Sequence, residues 1–152
     1  MQFDENLVFL NLKANSDDEV LTILAKKLVD LGYVTKQYLP AVLEREKKFP
    51  TGLPTVPFGV AIPHTDADKV KEAQVAFALL ENPVKFKTMG NSNCDTEVKL
   101  VFMLALKSPE DQLDMLQKLI GVFNDEEKVL KLSQVKTPEE YFQILSEIYK
   151  TA

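Results

Sequence analysis

The segment EVKLVFMLAL, residues 97–106, decides the fold class of this chain. From Leu100 to Leu106 it is an unbroken apolar run, which is typical of a central strand in a sheet that is covered on both faces. The run is far shorter than the ~20 apolar residues that a membrane-spanning helix needs. A sheet covered on both faces requires helices elsewhere in the chain.

Signals for helix starts occur on both sides of this strand. Ser16 and the acidic residues after it predict a helix that ends near Gly32, and a second helix is predicted from Thr35 to about Lys48. After the strand, Ser108-Pro109 predicts a third helix. The other predicted elements are strands at 7–10, 60–62 and 73–80 and helices at 125–133 and from 137 onward. This order predicts an α/β domain in which helices flank one mixed sheet.

Composition and charge limit the possible functions. With 152 residues, of which 45% are hydrophobic and 27% charged, the chain is expected to form a single domain over 1–152. Its net charge of −5 argues against nucleic acid as a partner, because phosphate backbones are bound by clustered Lys and Arg. We find no secretory signal and no segment that predicts insertion into a membrane. The single cysteine, Cys94, cannot form an internal disulfide, which favours a cytoplasmic location.

The chain has one histidine, and its surroundings indicate a functional role. His64 follows the short strand at 60–62 and Pro63, and open α/β sheets collect ligands beyond strand ends. With an ordinary pKa of about 6.5, an imidazole keeps a nucleophilic nitrogen available near neutral pH. A lone histidine is more often structural than catalytic, so a buried and unreactive His64 is the alternative.

Two segments near His64 in sequence carry groups that bind anions. The loop at 50–59 is rich in Pro and Gly, and we expect its rigid backbone to offer the N–H groups of Thr51, Gly52 and Gly59 to a phosphoryl group beside His64. On the second helix, Arg45 lies at the edge of the apolar stripe and Glu46 near its middle. Three interpretations are open. The helix ends before Glu46, or Arg45 and Glu46 pair with other charged residues at the edge of the core, or Arg45 projects into a cleft and binds an oxyanion.

Other chemistries are poorly supported. Zinc requires several His or Cys ligands, and the chain has one of each. The Gly-Lys-Ser/Thr ending of a nucleotide-binding phosphate loop is missing. A nucleophile–base pair of Cys94 and His64 is disfavoured, because Cys94 lies in a plain polar segment. We therefore expect neither a metal nor an organic cofactor.

Two motifs, REKKFPTG at 45–52 and VAIPH at 60–64, occur together in this chain. Their combination strongly resembles the fructose/mannitol-type enzyme IIA of the bacterial sugar phosphotransferase system, and the resemblance extends over about the whole chain. It implies a three-layer α/β fold with one mixed sheet of about five strands. The Phe-Pro-Thr-Gly form and the stretch from Asp111 to Leu113 look most similar to the galactitol-specific branch.

The resemblance also implies roles for individual residues. His64 would be phosphorylated by the phosphocarrier HPr and would pass the group to a cysteine of enzyme IIB, which in turn serves the membrane subunit, enzyme IIC. Arg45 would stabilise the phosphoryl group. From the residues themselves, we expect Thr51 and Gly52 to form the phosphoryl-binding loop and Glu46 to lie behind them.

One position departs from the family pattern. Many mannitol, fructose and nitrogen-regulatory relatives have a second active-site histidine near the start of the helix after the central strand, and here Gln112 holds that place. An amide donates a hydrogen bond to phosphate but cannot act as a titrating acid or base. Gln112 therefore argues against the mannitol and nitrogen-regulatory subtypes.

The leading hypothesis is a phosphotransferase component for the uptake of a sugar or alditol, galactitol-like in type. The alternative is a regulatory module whose phosphorylated histidine controls a transporter, kinase or transcription factor. A third possibility, a scaffold with a structural histidine, predicts no phosphorylation at all.

Overall fold

The computed structural model describes residues 4–151, and over this range the order of elements follows the prediction closely. The strands are β1 (Val8–Leu12), β2 (Gly52–Leu53), β3 (Gly59–Ala61), β4 (Gln74–Thr88) and β5 (Asn91–Ala105). The helices are α1 (Asp17–Asp30), α2 (Tyr38–Lys48), α3 (Pro109–Phe123), α4 (Glu126–Leu132) and α5 (Pro138–Thr151). Short 3-10 helices span Glu5–Leu7 and Ala67–Lys69.

The centre of the sheet is the antiparallel pair of β4 and β5, in which Phe77 lies opposite Phe102. β1 runs parallel to β4, and β3 runs parallel to β5 on the other side, with Val60 opposite Leu100. β2 pairs antiparallel with β3 and parallel with the end of β4. The predicted mixed sheet of five strands is therefore confirmed.

Helices cover both faces of this sheet, as the apolar run in β5 requires. Because successive side chains of a strand point to opposite faces, β4 contributes to two separate cores. Its residues Ala76, Ala78 and Leu80 pack with α1 and α2, whereas Val75, Phe77 and Leu79 pack with α3, α4 and α5. On the second face, the Phe77 ring stacks on Tyr141 with 4.2 Å between ring centroids. This is the predicted three-layer arrangement.

β4 and β5 are longer than the strands predicted at 73–80 and 97–106. In β4, buried Val84 and Phe86 alternate with exposed lysines, so the strand continues with one buried face. The segment 91–95, predicted as a polar connection, is the first part of β5. Pro83 makes the sequence look as if the strand ends there. In the structure this proline lies where the register shifts between Leu79 and Val84, and proline is tolerated at such bulges.

The hairpin between β4 and β5 turns at Met89–Gly90. Gly90 adopts a φ of +76°, which a residue without Cβ accepts at little cost. The Met89 N–H donates to the carbonyl of Gly52 at 2.8 Å, which ties the tip of the hairpin to β2. The tip therefore has a fixed place above the segment that leads to His64.

Two glycines bring this segment close to the central strands. A Cβ on Gly52 would lie 2.6 Å from the carbonyl oxygen of Lys87, and one on Gly59 would lie 2.3 Å from that of Glu97. Since real Cβ atoms do not approach so closely, any larger residue at either position would push β2 or β3 away from its neighbour. Both glycines belong to the loop predicted at 50–59, so part of that loop forms strands β2 and β3 in the structure.

The predicted helix starts are mostly confirmed. The Ser16 hydroxyl accepts from the Glu19 N–H at 3.2 Å, and the Ser108 hydroxyl accepts from the Asp111 N–H at 3.1 Å. The exception is Thr35, because α2 begins only at Tyr38 and its first turn has no side-chain cap. Among residues 4–151, none of the helices combines the length and the apolar character that crossing a lipid bilayer demands.

Candidate active site

His64 lies at the end of a strand that continues past β3. The Pro63 carbonyl accepts from the Leu104 N–H at 2.9 Å, and His64 itself forms a parallel bridge with Leu104. Proline has no N–H to add to this ladder, so regular pairing stops here and the chain leaves the sheet. The apolar centre of β5 thereby fixes the backbone of the histidine, as predicted from the position of His64 after a short strand.

The imidazole of His64 is held by the backbone of Ile62. Its Nδ1 lies 2.8 Å from the Ile62 carbonyl oxygen. Since a carbonyl oxygen can only accept a hydrogen bond, Nδ1 carries the proton, and Nε2 of the neutral ring keeps its lone pair. The ring is half-buried and lines an open cleft, so it is not enclosed in the core.

The pKa of His64 lies below its ordinary value, mainly because burial penalises the charged ring. The hydrogen bond to Ile62 raises the pKa, the positive charge of Arg45 lowers it, and the negative charge of Asp66 raises it. Arg45 thus helps to keep His64 neutral, but burial contributes more. Near pH 7 the ring is therefore uncharged and able to act as a nucleophile.

Arg45 faces the same cleft as His64, a cavity of about 470 Å³. Its guanidinium carbon lies 4.5 Å from the ring centroid of Phe49, a cation–π arrangement that directs the side chain across the end of α2. Within the described part of the chain, no carboxylate lies within ion-pair distance of Arg45. Its N–H donors are thus available to an anion, and the interpretation that Arg45 projects into a cleft is the one that the structure supports.

The remaining walls of the cleft come from the C-terminal end of α2 and from the hairpin tip. They consist of Lys48, Phe49, Pro50 and Thr51 on one side and Met89, Gly90, Asn91 and Ser92 on the other. Phe49 is 59% exposed and Met89 41% exposed, so two large apolar side chains stand at the rim. The sequence interpretation missed the hairpin tip; the only signal was the Met-Gly-Asn turn between two alternating segments.

Glu46 lies on the buried face of α2, with an exposed fraction of 5%. The helix extends to Lys48, so the alternative that helical geometry ends before Glu46 is wrong. Its carboxylate pairs with Thr51 rather than with a charge: Thr51 donates its N–H to Oε2 at 2.8 Å and its hydroxyl to Oε1 at 2.9 Å. Burial nevertheless raises the pKa of Glu46 to about 7, opposed by these two hydrogen bonds.

The Glu46 carboxyl should make stability depend on pH. Between pH 4.5 and about 7 the folded state holds a proton that the unfolded state releases, so the free energy of unfolding falls as pH rises through this window. Glu46→Gln does not titrate, so its stability relative to wild type should improve by about 1 kcal/mol per pH unit between pH 5 and 7. Groups that titrate in both proteins, including His64, contribute equally to both free energies of unfolding and cancel from their difference. Urea unfolding at several pH values measures it; a difference that does not change with pH would contradict the prediction.

Thr51 and Gly52 do not present their backbone as expected. The Thr51 N–H donates to Glu46, so it is not a free donor in the cleft, although Thr51 itself lines the cleft. The Gly52 carbonyl accepts from Met89, and Gly52 serves the close contact with β4. These facts correct the expectation of a Thr51 N–H aimed at a phosphoryl group: this segment supports the cleft from behind.

Gln112 lies in the first turns of α3 and contacts the residue after His64. Its Nε2 donates to the Thr65 carbonyl at 2.9 Å. One amide hydrogen is therefore used to hold the backbone beside His64, and the second is available for other acceptors. Its predicted role as a donor to phosphate stays a prediction. Among residues whose side chains are described, no group of three or more His, Cys, Asp or Glu side chains assembles that could hold a metal ion.

The arrangement combines a neutral imidazole nitrogen, an unpaired guanidinium and an open cleft, which together suit the transfer of an anionic group. Comparisons with known proteins agree with this chemistry. Residues 1–148 match the model of the family described as phosphoenolpyruvate-dependent sugar phosphotransferase system, EIIA 2. The mannitol-specific phosphotransferase enzyme IIA component of Staphylococcus aureus is 35% identical over 146 residues, which is 95% of each chain.

Two further proteins are similar to the chain, one in sequence and one in fold. The galactitol-specific EIIA component of Escherichia coli is 33% identical over 103 residues, 68% of each chain. Enzyme IIA mannitol of Escherichia coli, solved in complex with phosphorylated enzyme IIB mannitol, has the same fold with a TM-score of 0.78 and 24% identity over 96% of this chain and 98% of that one. The predicted resemblance is thus confirmed: the chain belongs to the EIIA type 2 family of phosphotransferases in the phosphoenolpyruvate-dependent sugar phosphotransferase system.

Proposed function

We propose that His64 accepts a phosphoryl group from phosphorylated HPr and passes it to a cysteine of enzyme IIB, on the cytoplasmic side of an alditol uptake system. The observation that carries this proposal is the Nδ1-protonated, neutral ring of His64 in a cleft that it shares with Arg45. Family membership supports the direction of transfer, and the Escherichia coli complex of a IIA with a phosphorylated IIB supports the acceptor.

In the first transfer, the lone pair of His64 Nε2 attacks the phosphorus of the phosphohistidine on HPr. The nitrogen–phosphorus bond to HPr breaks, its electron pair returns to the imidazole of HPr, and a bond from Nε2 to phosphorus forms. The proton on Nδ1 stays in place, so the His64 ring becomes positive as the bond forms. The Ile62 carbonyl, which already accepts from Nδ1, stabilises this charge.

Arg45 supplies the positive charge that the equatorial oxygens require. Phosphoryl transfer asks a protein mainly for in-line positioning and for stabilisation of these oxygens, and a guanidinium does both without a metal. In the second transfer, a thiolate of enzyme IIB attacks the same phosphorus and the electron pair returns to Nε2. Because the group must leave again, one unpaired cation beside the nucleophile suits a carrier better than a closed cage of donors.

For the transported compound we propose an alditol. The mannitol-specific relative matches over 95% of this chain and the galactitol-specific relative over 68%. The glutamine at position 112 in place of a second histidine favours the galactitol type. Separate assays with the enzyme IIB proteins of a mannitol and a galactitol system would distinguish the two, because the matching IIB should remove the phosphoryl group from His64 faster.

The test of the carrier function is incubation with phosphoenolpyruvate, enzyme I and HPr, followed by intact-mass measurement before and after acid treatment. We expect one acid-labile phosphoryl group per chain, since phosphohistidine hydrolyses in acid. Transfer onward to enzyme IIB distinguishes uptake from a regulatory module, which would keep the group and bind another partner. An unmodified chain would leave only the scaffold interpretation.

Gln112→Ala should slow phosphorylation by HPr mildly, by about fivefold. It removes the hydrogen bond to the Thr65 carbonyl, and a neutral hydrogen bond contributes about 1 kcal/mol. The initial rate of phosphorylation measures the effect, with the exposed Gln143→Ala as a control. A wild-type rate in Gln112→Ala would place this side chain outside the working site.

A further inference from the structure

A continuous chain of hydrogen bonds leads from Glu46 to His64. The Glu46 carboxylate accepts from both the N–H and the hydroxyl of Thr51. The Thr51 hydroxyl oxygen in turn accepts from the Ile62 N–H at 3.2 Å. The Ile62 carbonyl accepts from Nδ1 of His64 at 2.8 Å. Helix α2, which carries Arg45 into the cleft, is therefore also bonded through its next residue to the backbone that orients the histidine.

We propose that Glu46 is a positioning residue for the transfer proposed above: through Thr51 and the backbone of Ile62 it holds His64 in the orientation that presents Nε2 to the incoming phosphoryl group. The inference rests on that proposed function. Thr51 is the connecting residue, because its hydroxyl donates to Glu46 and accepts from Ile62 at the same time.

The direction of these bonds depends on the proton of Glu46. An ionised carboxylate accepts from both donors of Thr51. A protonated carboxyl has an O–H that needs an acceptor, and of the two Thr51 groups only the hydroxyl oxygen can accept. The hydroxyl then no longer donates to Glu46, and its oxygen is shared between the acid proton and the Ile62 N–H. The support of Ile62 is therefore weaker when Glu46 is protonated.

Charged groups of several elements act on this network. Asp17, in the first turn of α1, raises the pKa of Glu46 by repulsion, in addition to the larger effect of burial. Burial raises the pKa of Asp17 itself, and the positive charge of Lys87 on β4 opposes this shift. Arg45 of α2 and Asp66, two residues after His64, act on the histidine with opposite signs. Because Glu46 has a pKa of about 7, its protonation changes in the range where the carrier works.

The first measurement does not need phosphorylation. His64 is the only histidine of the chain, so heteronuclear NMR of isotopically labelled histidine reports on this ring alone. At about pH 8 the wild type should show the Nδ1-protonated tautomer. In Thr51→Val the fraction of the Nε2-protonated tautomer should rise at least about threefold, whereas Thr51→Ser, which keeps the hydroxyl, should resemble the wild type. An unchanged tautomer ratio in Thr51→Val would overturn the proposal.

The second measurement separates positioning from folding by its pH dependence. Glu46→Gln resembles the protonated acid, so its phosphorylation rate relative to wild type should fall about 10-fold at about pH 8 and be nearly equal at about pH 6. Any effect of pH on HPr and enzyme I is the same for the variant and the wild type, so it cancels from the ratio of their rates. Glu127→Gln, which changes an exposed glutamate on α4, is the control and should give a ratio near one at both pH values.

If the rate of Glu46→Gln relative to wild type is equally low at both pH values, Glu46 has a purely structural role and the proposal is overturned. A relative rate of one at both pH values would also overturn it. If Glu46→Gln fails to fold, the Thr51→Val and Thr51→Ser pair decides the matter. If the wild type is not phosphorylated at all, the proposed function fails, while the tautomer measurement still tests the hydrogen-bond chain.

Discussion

His64→Ala is expected to abolish phosphorylation by HPr completely. The variant lacks the only imidazole of the chain, and the hydroxyls of Thr51 and Ser92, which also line the cleft, are weak nucleophiles. Lys48 also lines the cleft, but its Nζ lies 3.0 Å from a carboxylate oxygen of Glu44 in an ion pair. Intact-mass measurement after incubation with phosphoenolpyruvate, enzyme I and HPr gives the result directly.

The variant should fold normally, because the His64 ring is half-buried and its hydrogen bond goes to the neighbouring backbone of Ile62. Circular dichroism and urea unfolding of His64→Ala and wild type provide this control. An acid-labile phosphoryl group on His64→Ala, or an acid-stable one on the wild type, would show that another residue accepts the group. Either outcome would remove the basis of the mechanism given above.

Arg45→Ala is expected to reduce the rate of phosphorylation by about 10²–10³-fold while leaving His64 able to accept the group. Loss of one preorganised donor to developing negative charge has an effect of this size in other enzymes. The variant should also raise the pKa of His64, because the guanidinium is one of the causes that lower it. The two effects are separable, since the second is seen by titrating the only histidine.

Arg45→Lys is the matched variant for this prediction. It keeps the charge but not the planar fork of N–H donors, and it should lie between alanine and wild type. The free energy of unfolding should change little in either variant, because Arg45 contacts the exposed Phe49 and has no ion-pair partner within the described residues. A rate for Arg45→Ala within about threefold of wild type would exclude a role for the guanidinium in the transfer.

Several features of the site were predictable because they follow from local rules. A strand that ends at a proline places His64 just beyond the end of that strand. Helical periodicity places Arg45 at the edge of the buried stripe of α2. Helix caps such as Ser16 and Ser108 are equally local, and the structure confirms both. The order of elements predicts helices around one mixed sheet, and the family resemblance implies the three layers.

The features that were missed depend on contacts between distant segments. Nothing near Met89 in sequence shows that the hairpin tip lies over β2; this follows from the length of β4 and from the bond to Gly52. The Thr51 N–H looked like a free donor because its acceptor, Glu46, lies on α2, where the sequence left three interpretations of the charged residues open. Where a buried charge finds its partner is decided by tertiary structure, and a pattern of apolar residues does not contain that information.

The phenol of Tyr38 has a consequence for how the carrier meets its partners. Fully buried, it donates to the Leu104 carbonyl at 2.6 Å, and the N–H of the same Leu104 holds Pro63. The first turn of α2 and the backbone before His64 are thus joined to one residue of the interior. We therefore expect the guanidinium and the imidazole to keep their separation when a partner protein docks, so that the site needs no rearrangement on binding.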